Sequence, residues 1–453
     1  MYLRIIGLGG CLVFLVSCAT TNSQVKFFSQ PQINALVVSG RFKEAAEVFQ
    51  THKSAYGPRN ELLYLLDKAY VFQMAGDYQR SIRVFEQAKR KLDELYTRSI
   101  SNMATTWLVN DHRSPYRGEY FEHTLINVLQ ALNYAVLGDF SEALVEMRDV
   151  DRKLNVLNDV FRYNRYDVYR EDALARFLSG ILYESSFHRQ DINDAFIAYH
   201  KALKIYRDGF HHRSGVDVPM ILVKNLLATA QYLGFSEFFD IHSQFPDTKF
   251  FSIEEKRQKG EIYLIHYNGL SPLKHAITIP LPLPGGYITQ LAFPTYDERF
   301  FVLKSSRLIA VDQSNKMYEV STELAANVEG LAKESLNDRK FQLYSKAVLR
   351  PIGKYILERG IEQKIEGRHG DTAEAVFKGV SNIYNLFSEQ ADLRSWETLP
   401  AQIRIAQLFV PPGTYAVHVD FFDVDNQVLE TYEIDEVTIK AGEKRFFIVR
   451  TVQ

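Results

Sequence analysis

The sequence predicts an α+β protein: a degenerate tetratricopeptide-like (TPR-like) α-solenoid, then a mixed α/β region ending in a small β-sandwich-like unit. Three observations predict it. Helix–turn–helix units recur between residues 31 and 245, the character changes after Pro246, and the last fifty residues alternate apolar and polar side chains between turns. The 453 residues suggest about two or three domains, long enough to bury cores without disulfides or metals. A formal charge of −2 argues against a nucleic-acid binder, and 31 Phe with 26 Tyr argue against bulk disorder.

Residues 1–17 read as a signal peptide. Arg4 precedes an apolar run from Ile5 to Val16, too short to span a bilayer. The run ends in Leu15-Val16-Ser17-Cys18, which resembles the bacterial lipobox and makes Cys18 the expected lipidation site, carrying palmitate-type acyl chains. Residues 18–30 form a lipidated tether. Ala19 after the cysteine favours the outer membrane by analogy with proteobacterial lipoproteins, so a periplasm-facing anchored protein is expected. With Cys11 removed in the signal, one acylated cysteine leaves none for a disulfide, a zinc site or a nucleophile.

The clearest repeat runs from Leu65 to Ala88. Ala69 and Phe72 lie where two helices touch, Gly76-Asp77-Tyr78 makes the turn, and Ser81, Phe85 and Ala88 line the second helix. A second copy spans Asn127 to Val150 around Gly138-Asp139-Phe140. A partial one precedes them at Gly40-Arg41-Phe42, a third follows from Gly180 to Ala202, and a weaker pair turns at Gly234. The landmarks Gly40, Gly76, Gly138 and Gln190 are 36, 62 and 52 residues apart. A regular array would repeat every ~34 residues, so the solenoid carries insertions, chiefly Lys89 to Glu119.

The inner surface of such an array comes from the first helix of each pair. Here that means Leu63, Leu66, Tyr70, Gln73 and Met74, then Leu125, Val128, Leu132, Ala135 and Val136. These residues form a groove for an apolar peptide, a core closed upon itself, or a seat for the protein's own C-terminal half.

The second half is read as a mixed domain over 246–400 and a packed β unit over 401–453. Glu261–Tyr267 is a buried strand. Ile279 to Gly286, with three prolines, is an extended connector. Strands follow at Ile288–Phe293 and Phe300–Leu303. Ser321 to about Gly367 and Thr372–Glu389 have helical periodicity, with Ala325, Val328, Leu331 and Ala332 on one stripe. Tyr415, Val417, Val419 and Phe421 alternate as a half-buried strand, and Val437–Ile439 with Arg445–Val449 make a closing hairpin through Ala441-Gly442-Glu443.

Chemistry is sparse. There is no HExxH, no GxGxxG and no phosphate loop, and the adjacent His211-His212 cannot share a helix face. Ser271 lacks a nucleophile elbow. The pairs Glu119/Glu122 and Glu142/Glu146 have the spacing of solvated helix faces. No catalytic residue, metal or cofactor is assigned.

Several segments together resemble a family of bacterial lipoproteins with tetratricopeptide-like helices. They are Tyr116-Arg117-Gly118-Glu119-Tyr120-Phe121-Glu122, Ala131-Leu132-Asn133-Tyr134, Ala143 to Arg148, Glu171-Asp172-Ala173, Phe177 to Glu184, Asp194 to Tyr199, Ala391 to Pro400 and Pro411 to Tyr415. The resemblance spans roughly residues 110–450. That family is often encoded near lipoproteins similar to penicillin-binding-protein activators, which implies an envelope role. It also selects a polar set, Tyr120, Glu122, Arg148, Asp172, Tyr183 and Glu184. In one reading Arg148 bridges Glu122 or Asp172 between repeats; in the other these side chains meet a partner. The leading expectation is a non-enzymatic scaffold in envelope assembly. Its partner would be an envelope protein, such as another lipoprotein or a peptidoglycan-synthesis component. The alternatives are a glycan-acting enzyme using Glu119, Glu122, Glu146 and Glu184, and a carrier of lipid or apolar polymer in the solenoid.

Overall fold

A computed structural model describes residues 31–49, 53–101, 114–162, 172–207, 215–282, 288–337 and 391–452. The signal peptide, Cys18, the tether, and the helices expected over 338–390 lie outside the described residues.

The N-terminal part is built from helix pairs. They are α1 (Pro31–Val38) with α2 (Phe42–Val48), α4 (Glu61–Met74) with α5 (Tyr78–Ser101), and α6 (Tyr120–Val136) with α7 (Phe140–Arg162). Next come α8 (Ala173–Glu184) with α9 (Arg189–Ile205), and α10 (Met220–Leu233) with α11 (Glu237–Gln244). A short α3 (Lys53–Tyr56) precedes α4, and α12 (Ile253–Lys256) leads into the sheets.

Four of the five turns are closed in the same way. Gly40, Gly76, Gly138 and Gly234 have φ between 70° and 79°, a left-handed conformation that a Cβ would strain. The next amide returns to the carbonyl five residues back, as in Asp77 N to Phe72 O at 2.9 Å and Asp139 N to Tyr134 O at 2.9 Å. Gly180 has a different reason: a Cβ there would lie 2.3 Å from the Tyr199 ring, so a bare backbone lets α8 and α9 touch.

The strands form two four-stranded sheets. The first, in order β10-β1-β7-β6, joins β10 (Lys444–Thr451), β1 (Gly260–Asn268), β7 (Gln402–Val410) and β6 (Glu323–Asn327). The second, β5-β4-β8-β9, joins β5 (Met317–Ser321), β4 (Ser305–Asp312), β8 (Gly413–Phe422) and β9 (Val428–Ile439). β10 pairs with β1 in parallel; β7 pairs antiparallel with both β1 and β6. A separate antiparallel hairpin joins β2 (Leu273–Pro282) to β3 (Ile288–Asp297).

Every residue of β1 is buried, because both of its faces are covered. Ile262 and Leu264 point into a sandwich core with Leu308, Ala310, Leu408, Val417, Val419 and Phe421. Tyr263, Ile265 and Tyr267 point the other way and join Ile403, Ile405 and Phe446 in one core with the helices. Tyr70 of α4 meets Tyr267 at 5.9 Å between ring centroids, and Phe140 of α7 meets Phe446 at 5.9 Å. Of the three expectations for the inner helical surface, the protein's own C-terminal half is what covers it.

Several sequence expectations are corrected. Glu323–Asn327 is strand, so Ala325 sits in β6, and helix occupies only 328–337 of the described stretch. Its Glu, Leu and Ala favour helix, but pairing with β7 outweighs that preference. Phe300–Leu303 is irregular, and the strand begins at Ser305. The proline-rich connector is partly a ladder, which Pro280 and Pro282 permit because the hairpin has only two strands. Residues 437–449 are no hairpin: β9 pairs with β8 in one sheet, β10 with β1 in the other. The turn between them is held by Gly442 N to Lys259 O at 2.8 Å and Glu261 N to Glu443 O at 2.9 Å. Strands on either side of residue 400 therefore share both sheets, and no structural boundary falls there.

Candidate functional site

Where the helices meet the sheet, buried polar groups collect in two centres. The first follows from ending α8 in Glu184 against the edge of β10. Glu184, Lys256, Glu261 and Lys444 are all buried. Lys256 Nζ donates to Glu184 Oε1 at 2.8 Å and to Asn225 Oδ1 at 2.7 Å. Lys444 Nζ reaches Glu184 Oε1 at 3.2 Å and Glu261 Oε1 at 2.5 Å. Tyr199 Oη donates to the second Glu184 oxygen at 3.0 Å, while Gln407 and Tyr263 both donate to Glu261 Oε2. Two carboxylates and two ammoniums cancel, and each carboxylate oxygen has a donor. Burial alone would raise the Glu184 pKa, but Lys256 and Lys444 bring it below the ordinary value.

The second centre is a strap, residues 391–400, laid across the inner side of α4 and α6. Glu119 caps α6 and forms a reciprocal capping box with Glu122. Glu122 has no exposed surface; it accepts from Tyr116 Oη at 2.6 Å, Glu119 N at 2.9 Å and Trp396 N at 2.9 Å. Asp67 accepts from Tyr56 Oη at 2.9 Å and from Thr398 Oγ1 at 2.8 Å, and Trp396 Nε1 donates to Thr398 Oγ1 at 3.0 Å. The Trp396 ring packs edge-on against Tyr70 and Phe85, each at 6.2 Å. Lys274 of β2 pairs with Glu119 and donates to the Arg394 carbonyl at 3.1 Å. Burial pushes the carboxyls of Asp67 and Glu122 up to about 7 each.

A third group lies inside the sandwich. His266 contacts Ser306 Oγ through Nδ1 and Thr451 Oγ1 through Nε2, each at 2.8 Å, and burial holds it well below its ordinary pKa. Serine and histidine are both buried, so no substrate reaches them.

The predicted site residues divide accordingly. Glu122 and Glu184 are wholly buried and belong to different centres. Asp172 is the N-cap of α8, its side chain accepting from Ala175 N at 2.9 Å. Arg148 bridges neither Glu122 nor Asp172. It is exposed on α7, where Nε donates to Tyr183 Oη at 3.1 Å and the guanidinium lies 5.7 Å from that ring. Tyr120 opens α6. Cys18 is outside the described residues. Glu119 and Glu146 are also buried rather than solvated, Glu146 being held by Lys89 and Asn127. Ser271 Oγ donates to the Trp396 carbonyl at 3.1 Å and so supports the strap.

Sequence reasoning missed Asp67, Lys256, Glu261, Lys274, Trp396 and Lys444. Asp67 left a signal, a lone carboxylate in the apolar run Leu62 to Phe72. The lysines left none, since each became interior only when distant elements packed. Among the described residues, no group of three His, Cys, Asp or Glu side chains could hold a metal, and no helix is long and apolar enough to cross a membrane.

The sequence matches no family profile and no curated protein. Among solved structures it is similar to a Podosopora anserina kinesin light chain with nearly identical TPR-like repeats, at 15% identity and a TM-score of 0.29, covering 50% of this chain and 93% of that one. A single-substitution variant of that protein matches at 13% identity and a TM-score of 0.29, covering 49% and 95%. The TPR-like description of this chain rests on its own helix pairs and their repeated glycine turns.

Proposed function

We propose that the chain is a non-enzymatic scaffold lipoprotein of the bacterial envelope, anchored at the outer membrane through Cys18, whose outer surface holds a protein partner. The observation that carries this reading is the internal use of the polar chemistry. The carboxylates of the two interface centres accept from the chain's own donors, and the inner face of the helical array is filled by the chain's own sheet. The lipobox and the resemblance to envelope lipoproteins supply the compartment. A glycan-acting enzyme would need reachable carboxylates; Asp67 and Glu122, with pKa values raised to about 7, are sealed under the strap. A lipid carrier would need the groove that the sheet occupies.

The test is a photoreactive side chain at Val145, exposed one turn before Arg148 on α7. In living cells a discrete adduct with an envelope protein is expected. Cys18→Ser should abolish it by releasing the chain from the membrane, and Arg148→Glu should reduce it without moving the thermal midpoint. Absence of any adduct, or an adduct indifferent to Cys18→Ser, contradicts the proposal.

A further inference from the structure

We infer that the outer edge of β9 is a docking edge for an extended lysine- or arginine-rich segment of a protein partner, which adds to the β5-β4-β8-β9 sheet as a fifth strand. This rests on the scaffold reading above and names the chemistry of its partner.

Within the described residues β9 is an edge strand, paired with β8 on one side only. Its first half, residues 428–433, is exposed. Val428 is 52% exposed, Leu429 51% and Tyr432 51%. A natural edge strand is ordinarily short, bent or interrupted to prevent pairing; this one is twelve residues long and is bulged at Leu429 and again between Ile434 and Val437, which leaves residues 430–434 as a regular run with Tyr432 in the open.

Charge selects the occupant. Residues 417–439 contain seven acidic side chains and no lysine or arginine. Asp423 is used within the β8–β9 turn, accepting from Asp425 N and Gln427 N at 2.9 Å each. Asp420 accepts from Thr431 Oγ1 at 2.6 Å. Glu430, Glu433 and Glu436 are exposed and form no ion pair with described residues. A second copy of β9 would set carboxylate against carboxylate, and an anionic leaflet would be repelled. A basic strand sets its cations on the face that carries Glu433 and its apolar side chains on the face that carries Tyr432, while its backbone completes the open ladder.

The probes are two fluorescein-labelled ten-residue peptides, one alternating Lys and Val, the other alternating Glu and Val. Anisotropy with the whole mature chain in 0.15 M salt should show at least tenfold tighter binding of the Lys peptide, with amide-exchange protection appearing on β9. The variant Glu430→Lys/Glu433→Lys/Glu436→Lys, checked for an unchanged thermal midpoint, should reverse the preference. N-methylation of alternate amides on the Lys peptide should abolish binding to the unmodified chain, a test that needs no variant. Equal affinity for both peptides, protection away from β9, or binding that survives N-methylation overturns the inference. A failure here leaves the adduct at Val145 intact, and loss of that adduct leaves the peptide preference intact.

Discussion

At the residue scale, Asp67 and Glu122 show how a carboxyl becomes part of a fold. Both would be solvated in an isolated helix, and both are wholly enclosed once the strap closes over them. Desolvation favours the neutral acid, and hydroxyl and amide donors offset it only partly, so both pKa values stand at about 7. In the unfolded chain these groups titrate near 4. Their raised folded values contribute stability that is complete below about pH 4 and is lost as pH rises through about 7, worth a few kcal/mol per group at about 1.4 kcal/mol per pH unit. Glu184, lowered by its lysines, works in the opposite sense and withdraws stability only in acid. His266 and His123, held neutral by burial, oppose this trend up to about pH 6.5, so the denaturant midpoint should fall between about pH 6.5 and pH 8, and Asp67→Asn should flatten that slope. A midpoint rising across the same window would contradict the buried-acid description.

At the element scale, the four-charge centre couples α8 to β10, β1 and α12. Lys444 answers both Glu184 and Glu261, and burial would lower its pKa were it not for those two carboxylates, which hold it raised. Lys444→Met should cost about 3–5 kcal/mol, because Glu261 is left buried without its cationic partner. Adding Glu261→Gln should recover a large part of that loss, leaving the Lys256–Glu184 pair intact. Equal losses in single and double variants, measured by denaturant unfolding, would show that the centre acts by packing alone.

The same scale shows what the sequence can and cannot reveal. The repeats were legible because each glycine turn is a local requirement, readable from five or six adjacent residues. Strand β1 was legible as a continuous apolar run, the mark of a strand covered on both faces. The crossing at Ala441-Gly442-Glu443 was not legible, because a turn within one sheet and a turn between sheets use the same residues. Nor was β6, whose Glu, Leu and Ala speak for helix until β7 is beside them. Of the candidate residues, Glu122 was read from its spacing as part of a solvated face; its burial was not legible because the partner that encloses it, Trp396, lies 274 residues away.

At the scale of the whole molecule, the helical array and the sandwich are halves of one packed body. Tyr70, Tyr267, Trp396 and Phe446 belong to a single core that passes from the helices into the sheet. The inner side of the array is therefore structural, and the proposed partner contact is assigned to the outer side. Native-state hydrogen exchange on the mature chain tests this most directly. Amides of α4, α6 and β1 should exchange with one common opening free energy and one common denaturant slope, since each opens only when the shared core does. Exchange of α4 and α6 at distinctly lower free energy than β1, with a small slope of its own, would mean that the helices open without the sheet and that their inner face is free.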